Sequence, residues 1–452
     1  MRIVIAGCGK VGQEIISHLV SEGHSIVAID SNPSVVEKVI NKYDVLGILG
    51  NCVSIDILEK AGSESADLFI AVTSSDEVNM VACFEAKKVG VKSTIARVRN
   101  YDINTHVNRM KEDLAIDMVI NPESEAAVDI QNIINFPEAI EVDLFANGRL
   151  NLVEFYLQED SKLVGKTLSE VKNEYNSNIL VCAIQRDNEV IIPYGSTTLK
   201  PKDRIHIAGN RLSLKEFLDK LGLVENKIKN IMIIGCGVLT VYLAESLIKN
   251  GYKVKIIEKD KNICEKYAAI LPKANIVFGD ASDQTLLEEE NIQSTDAIIS
   301  LTGMDETNII ISMYAEKRHV HKIIAKIDKS SYELLVGNIS DASVISPKSS
   351  ITSRIIRYVR SLSNAVGSNI ETLHKIVNNK VEAIEFIAKE NSKTLNIPLK
   401  DLKTKKDTLI ASIVRGEEVI IPSGLDSIMS GDSVVVITKA DRTFDDLDDI
   451  LA

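Results

Sequence analysis

The chain states nearly the same pattern twice. Gly7-Cys8-Gly9 returns as Gly235-Cys236-Gly237 and Asp30 returns as Glu258, both at one common offset. Gly50-Asn51, Asp67, Thr73, Asp76-Glu77, Asn79 and Ile192-Pro193 recur as Gly279-Asp280, Asp296, Thr302, Asp305-Glu306, Asn308 and Ile421-Pro422, each displaced by a single position more. A period this long, half the chain, exceeds that of any solenoid repeat, so each half must hold complete domains with their own cores. For 452 residues ordinary domain sizes suggest about three units, and an even duplication makes four the better count. The chain therefore carries two copies of a ligand-binding unit.

Inside each half the texture changes once. RIVIAG, SIVAID, VLGILG, DLFIAVT, STIARV and MVINP alternate with helical stretches in the first half, as do NIMIIG, KVKIIE, NIVFG, AIISLT, HKIIAKI and SVISP in the second. Strands that are apolar throughout and separated by helices, here near 54–61, 76–90 and 102–113, predict a parallel sheet covered on both faces. Each unit ends in a polar cap followed by proline, Asn121-Pro122 and Ser346-Pro347, which starts a helix well and predicts a connecting helix leaving each sheet. On the second, Arg354, Arg357 and Arg360 recur at every third position beside Ile351, Ile355, Ile356 and Val359; such a face meets either solvent or another subunit.

Beyond those helices come short alternating runs such as NLVEFYL, ILVCAIQR, EAIEFIA and LIASIVR, with turns at Pro193-Tyr194-Gly195 and Pro422-Ser423-Gly424. These read as small mixed α/β domains. The fold class expected is α/β: two Rossmann-like doubly wound parallel-sheet domains, each followed by a small α+β domain. The expected division is 1–122 with a connecting helix to 137, 138–224, 229–347 with a connecting helix to 363, and 366–452. The polar segment Glu225 to Lys229 is the expected central hinge.

Composition narrows the function. Apolar content of 45% with 26% charge describes a globular protein with ample core. The most apolar region, Ile231 to Ile248, is broken by Gly235, Gly237 and Glu245, so no membrane insertion is expected. Met1-Arg2 runs straight into a strand and a glycine loop with no secretory signal visible, so a cytoplasmic location is expected. The six cysteines form no CxxC and no metal-like spacing and read as small buried hydrophobes. A net charge of −12 argues against nucleic acid and against adhesion to anionic lipid, while leaving an acidic surface able to dock on a basic protein face.

Gly7-Cys8-Gly9-Lys10-Val11-Gly12 is a GxGxxG that follows the strand RIVIA, opens the helix QEIISHL and is trailed by Asp30 at the end of the next strand. Gly7 permits the tight turn, Gly9 lets backbone approach a pyrophosphate, Gly12 permits close helix packing, and the helix N-terminus offers free amides to phosphate. Asp30 suits both ribose hydroxyls and would repel a 2′-phosphate, so NAD or NADH is expected over NADP. The second loop, Gly235-Cys236-Gly237-Val238-Leu239-Thr240, keeps two glycines. Thr240 stands in the third place, where a branched side chain should push the helix outward. Glu258 keeps the ribose carboxylate, and Val238 removes the charge of Lys10. NAD(H), ATP, ADP or a purely structural role remain open for this copy. Asn51 (followed by Cys52) and Asp280 are placed to read adenine. Thr73 and Thr302 end the fourth strands. Arg97 and Lys326, in the fifth, face an anionic ligand or pair with Asp76 or Asp305.

With those residues in view, the chain resembles the TrkA family of Trk potassium-uptake regulators, built from tandem regulator-of-conductance-of-potassium (RCK, or KTN) domains. The resemblance rests on GCGKVG with Asp30, the Gly-Asn or Gly-Asp after the third strand, the segment 67–79, IARV at 95–98 and LVGKTL at 163–168. It implies N-type and C-type RCK domains in alternation and a peripheral cytoplasmic subunit at the inner face of the membrane, without hydride-transfer chemistry. It also implies a homo-oligomeric ring, dimer or tetramer, beneath a TrkH- or TrkG-like potassium transporter, gated by NADH, NAD or adenosine phosphates. Departures are Thr240, Val238, and Asn396-Ile397-Pro398 where the first half has Gly165-Lys166-Thr167. Some relatives bind small regulators such as cyclic di-AMP in the small domains, and nothing in the residues decides that.

Two other readings stand beside it. An NAD-dependent oxidoreductase needs a positioned acid or base, and His206 and His374 lack counterparts in the other copy, while His319 and His321 lack metal-ligand spacing. A soluble nucleotide or redox sensor would differ only in its partner.

Overall fold

The computed structural model describes residues 1–101, 103, 111–137, 139–187, 189–222, 228–329, 331–332, 342–364, 370–376, 380–440, 444 and 446–452. The helix expected over 102–113 and the hinge expected at 225–229 lie largely outside them.

The first sheet comprises β1 (Arg2–Ala6), β2 (Ser25–Asp30), β3 (Leu46–Leu49), β4 (Leu68–Ala71), β5 (Ser93–Arg97) and β6 (Met118–Ile120). All pairings are parallel, in the order β3-β2-β1-β4-β5-β6. Ile3, Val4, Ile5, Ala6 and all of Leu68 to Ala71 are fully buried, as strands covered on both faces require. Side chains alternate between two cores: Ile3 and Ile5 pack with Ile15, Ile16 and Leu19, and Val4 and Ala6 with Leu58, Met80 and Cys83. The chain reverses direction across the sheet between β1 and β4, and a crevice opens at their carboxyl ends.

The small domain that follows is an antiparallel sheet of β7 (Glu141–Phe145), β8 (Leu150–Tyr156), β9 (Ile179–Arg186), β10 (Glu189–Ile191) and β11 (Arg204–Gly209), ordered β10-β9-β11-β8-β7. The second half repeats both folds. Strands β12 (Asn230–Ile234), β13 (Lys253–Glu258), β14 (Asn275–Phe278), β15 (Ala297–Ser300), β16 (Lys322–Lys326) and β17 (Ser343–Ile345) pair in parallel as β14-β13-β12-β15-β16-β17. Strands β18 (Ile370–Ile376), β19 (Val381–Ile387), β20 (Thr408–Arg415), β21 (Glu418–Ile420) and β22 (Ser433–Lys439) form the second antiparallel sheet, β18-β19-β22-β20-β21. Leu150, Leu152, Cys182 and Ala208 pack against Val381, Ala383, Ala411 and Val435, so the two small sheets lie face to face.

The small domains differ in helix content. The first holds helices Leu168–Tyr175 and Arg211–Leu221; the second, among the described residues, has only single 3₁₀ turns at Leu399–Asp401 and Leu447–Ile450. The cause is local. Thr167 and Glu170 cap each other's amides in a closed capping box, whereas Pro398 occupies the site of Thr167. Both small domains are antiparallel sheets, as expected, and the α-helices of the first are not matched among the described residues of the second.

Four helices decide how the halves meet: α1 (Lys10–Ser21), α2 (Pro122–Asn135), α3 (Val238–Lys249) and α4 (Pro347–Asn364). Asn121 caps α2 through the amide of Ser124 at 2.9 Å, with Pro122 at the first turn. The apolar face of α2, Ala126, Ile130, Ile133 and Ile134, packs on Val241, Ala244 and Leu247 of α3 in the other half. Reciprocally, Ile351, Ile355, Ile356 and Val359 of α4 pack on Ile15, Ile16 and Leu19 of α1. Each connecting helix thus covers the glycine-loop helix of the opposite copy.

Where α2 and α4 cross, Ser350 Oγ donates to Asp129 Oδ2 at 2.6 Å and Arg354 lies 3.8 Å from Glu125. Counted from Pro347 and Pro122, Ser350 and Arg354 are the counterparts of Glu125 and Asp129, so one contact is made twice about a pseudo-twofold axis. Arg360 is ion-paired with Glu22 of α1's C-terminal cap and donates to Leu373 O at 2.8 Å, and Arg357 is half-buried with Glu125, Asp129 and Asp143 around it. Of the arginine row expected to meet solvent or another subunit, Arg354 stays exposed, while Arg357 and Arg360 face groups of the first half of the chain. Among the described residues no helix is long and apolar enough to cross a membrane.

Candidate functional site

Both glycine loops sit at the crevice between the first and fourth strands of their sheets. Gly7 has φ +93°, and a Cβ there would stand 2.7 Å from Thr73 N and 2.9 Å from Val72 C. Only glycine fits, on conformational and steric grounds together. Gly12 is equally constrained, since a Cβ would lie 2.0 Å from Gly7 O. Gly9 differs: a Cβ would meet nothing within 4 Å. It is exposed, it caps α1, and no side chain occupies its cap position. The missing side chain leaves bare backbone and a helix N-terminus open to an anion. Lys10 beside it is exposed, Val11 is half-buried, and Cys8 is buried. Burial, with Asp30 adding to it, pushes the Cys8 thiol up to about 12, so it brings no negative charge to the loop.

The second loop reproduces this shape by other means. Gly235 has φ +91° and faces Thr302 Cα at 3.1 Å, while Gly237 again has nothing within 4 Å. Thr240 is fully buried and donates its hydroxyl to Gly235 O at 2.7 Å. The steric conflict expected from its Cβ becomes a hydrogen bond. A hydroxyl held at bonding distance keeps its Cβ further from the carbonyl than a Cβ on Gly12 would be in the first copy. Val238 is half-buried, Leu239 is buried, and burial beside Glu258 pushes Cys236 up to about 12.

The two carboxylates behave identically. Asp30 accepts from Cys8 N at 2.7 Å and Asn32 N at 2.9 Å; Glu258 accepts from Cys236 N at 2.7 Å and Asp260 N at 2.9 Å. Each oxygen uses one lone pair on the protein and keeps another for a further donor. Asn51 and Asp280 both accept from the amide two positions on, Val53 at 3.2 Å and Ser282 at 2.9 Å. They cap turns on the same rim, exposed to solvent. Cys52, the neighbour of Asn51, is buried, and its thiol is pushed up to about 11.

The ends of β4 and β5 are tied together by a residue that sequence reasoning gave no role. Asn79, fully buried, accepts from Thr73 N at 2.8 Å and Thr73 Oγ1 at 2.7 Å, and donates to Thr73 O at 3.3 Å and Arg97 O at 2.9 Å. Asn308 repeats this set with Thr302 N at 3.0 Å, Thr302 Oγ1 at 2.7 Å, Thr302 O at 3.3 Å and Lys326 O at 2.8 Å. Its recurrence at the common offset was the available signal. With amide and hydroxyl engaged, Thr73 and Thr302 can only accept from a ligand.

Arg97 does not pair with Asp76, nor Lys326 with Asp305. Asp76 instead accepts from the amides of Arg99 and Asn100 at 2.9 and 2.7 Å, and Asp305 from those of Asp328 and Lys329 at 3.0 and 2.9 Å. A carboxylate satisfied by two backbone amides has no need of the side-chain cation. Arg97 Nη1 reaches Thr73 O at 3.5 Å, while its Nε is buried and unpartnered among the described residues. Burial lowers the guanidinium's pKa, with Arg99 acting the same way. Lys326 has a distant partner in Asp328, at 3.8 Å. Among the described residues, then, the first crevice holds a cation without a carboxylate partner where the second holds a compensated one. His206 lies elsewhere, buried in the first small sheet, where burial lowers its pKa.

From each crevice a short segment leads to the opposite half. Just after β5, Tyr101 sets its ring 5.2 Å from Tyr242 of α3 and donates to Glu245 at 2.7 Å. Asn121 donates to Tyr242 OH at 3.3 Å. In the other direction Asp328 O accepts from Lys348, which pairs at 3.3 Å with Glu14 of α1, and Ser349 donates to Glu14 at 3.1 Å. The gap bounded by Tyr101, Val238, Val241, Lys266 and Tyr267 measures about 180 Å³. That is below the roughly 300 Å³ of an ordinary ligand pocket, and marks where the halves meet.

Family models for the TrkA-N domain match residues 3–122 and 231–347, and for the TrkA-C domain residues 152–222 and 383–450. The Trk system potassium uptake protein TrkA homolog 1 of Methanosarcina mazei is 34% identical over 97% of this chain and 98% of its own. Among solved structures, the GsuK RCK domain (17% identity, TM-score 0.59) covers 97% of this chain and 92% of that one. The GsuK channel bound to NAD (17% identity, TM-score 0.61) covers 97% and 77%. At that identity the structural likeness speaks for the fold alone.

Proposed function

The chain belongs to the TrkA family of potassium-uptake proteins, and from that premise we propose that it is the nucleotide-sensing regulatory subunit of a membrane potassium transporter of the TrkH or TrkG type. The observation that carries the reading is the open backbone at Gly9. It is a phosphate cradle beside a carboxylate with spare lone pairs, repeated at Gly237. Gly7, Gly9, Gly12 and the N-terminus of α1 would hold a pyrophosphate, Lys10 and Arg97 would offset its charge, and Asp30 would take the ribose hydroxyls. Asp30 also disfavours a 2′-phosphate, so NAD or NADH is the expected ligand at the first site. That a fold neighbour is a channel bound to NAD supports the choice. NAD(H), ATP or ADP is proposed for the second.

The ligand's part is occupancy, without hydride chemistry. Each glycine-loop helix is covered by the connecting helix of the other copy, so a ligand that favours one loop position biases how the halves sit. Such a bias equals its differential affinity, typically about 1–3 kcal/mol per site. Copies joined in a cytoplasmic ring, dimer or tetramer, would add these biases at the transporter.

Calorimetric titration of NADH, NAD, ATP and ADP, alongside potassium flux in vesicles holding the transporter, tests the reading. Asp30→Ala should weaken NADH by at least about tenfold and remove nucleotide control of flux. Wild-type protein that binds none of the four, or flux indifferent to them, would sink it.

A further inference from the structure

Across the two copies the turn residues Gly7-Cys8-Gly9 recur, but several side chains that could meet a ligand have changed: Lys10 to Val238, Gly12 to Thr240, Asp30 to Glu258, Asn51 to Asp280, Arg97 to Lys326. The buried asparagine and its threonine have not. Asn79 and Asn308 each make four hydrogen bonds to equivalent atoms, with closely matching lengths in the two copies.

What those bonds hold is specific. Two of them lie on the backbone of Thr73, whose N and Cα are the atoms 2.7 and 2.8 Å from the position a Cβ on Gly7 would take. Thr302 Cα stands at 3.1 Å in the same relation to Gly235. The strand end that Asn79 grips is therefore the wall against which the glycine turn is pressed. The fourth bond reaches the carbonyl of Arg97 and so sets where the fifth strand delivers its cation. Parallel pairing of β4 and β5 ends at Ala71 and Ala96. Beyond that register the side-chain amide of Asn79 joins the two chain ends.

We infer that Asn79 and Asn308 are the positioning residues of the two glycine loops. Each locks the end of the fourth strand against the turn glycine and aligns the fifth-strand cation, so that a fixed frame carries interchangeable ligand contacts. Neither touches the ligand. This rests on the nucleotide reading for its purpose, but its geometry does not.

Asn79→Asp keeps the shape and the acceptor while turning the donor that serves two carbonyls into an oxygen. Asn308→Asp is the matched change in the other copy. Hydrogen exchange on the ligand-free, folded proteins should show the amides of 7–12 and of Val72 and Thr73 exchanging at least about tenfold faster in Asn79→Asp, with 235–240 unchanged, and the reverse in Asn308→Asp. With NADH or ATP present, each variant should lose at least about tenfold in affinity at its own loop only. Should Asn79→Asp fail to fold, Asn79→Ser, whose short single-donor hydroxyl cannot serve both carbonyls, is expected to give the same pattern. Exchange that rises evenly across both loops, or loop exchange at wild-type rates, would overturn the inference. A wild-type protein that binds no nucleotide while the exchange pattern holds would refute the functional reading and leave the positioning role standing.

Discussion

The first glycine loop and the second have the same outline but differ in what holds them together. In the first, close approach is permitted by absence: no atom on Gly12 obstructs Gly7 O. In the second, Thr240 fills the space and bonds to Gly235 O at 2.7 Å. A loop held by a hydrogen bond can tolerate losing the phosphate contacts that a bare glycine turn exists to serve. The cations follow suit, since Lys10 and an Arg97 whose Nε is unpartnered face Val238 and a Lys326 placed near Asp328. The lesson is that duplication kept the frame and relaxed the positive charge around the second loop.

The sharpest way to break this comparison is to exchange the third loop residue. Gly12→Thr places a Cβ 2.0 Å from a carbonyl oxygen and should cost about 1–3 kcal/mol by overpacking. First-site nucleotide affinity should fall more than about a hundredfold. Thr240→Gly should cost about 1–2 kcal/mol, through helix propensity and one lost bond, and leave second-site affinity within about threefold. Calorimetry and thermal melts read both, and equal effects in the two copies would remove the distinction.

The ribose carboxylates come next. Asp30→Ala and Glu258→Ala each orphan a loop amide bonded at 2.7 Å, a loss of about 1–3 kcal/mol. The first should weaken NADH binding at its loop by at least about tenfold, and the second should separate a second-site ligand, if that loop binds one, from a structural role.

The helix crossing offers a test by pH. Burial pushes Asp129 up to about 6, opposed by the Ser350 hydrogen bond, while its counterpart in α4 is Arg354. An acid whose pKa is raised on folding binds more protons in the folded state. Its contribution to stability therefore falls as pH climbs from about 4 to about 6 and is flat above. Glu125, Asp143, Arg354 and Arg357 share the site. Chemical denaturation at pH 4.5 and 7 should show a change on the order of 1–3 kcal/mol from this group that Asp129→Asn removes.

The smallest expected effect is the charge swap at the helix N-termini. Lys10→Val should weaken an anionic ligand at the first loop, and Val238→Lys strengthen one at the second, by about 0.3–1 kcal/mol at low salt. Titrations at two ionic strengths check this, and a salt-independent change would deny the electrostatic origin.

Much of this was legible in the residues. The glycine loops, the carboxylates after them and the sheets with helices on both faces are local patterns of strand and helix period, and they appear where the apolar runs put them. The asparagine at 79 was visible as a repeated letter only, because its partner carbonyl at Arg97 lies 18 residues away and arrives through strand pairing. The arginines of α4 read as a surface row, since a helical stripe says which side is apolar and not which neighbour covers the other. Asp76 and Asp305 looked like ion-pair partners and became backbone caps, a role sequence spacing does not reveal.

What the sequence by itself determined is each domain taken alone, because hydrophobic periodicity, capping residues and glycine turns act over a few residues and need no knowledge of the rest. What only the tertiary structure decided is the exchange between halves, with α2 on α3 and α4 on α1. An apolar helix face gains about the same from burial against any complementary surface. Which surface it finds depends on the shape of the whole chain, and here that shape sets each glycine-loop helix under the helix of the other copy.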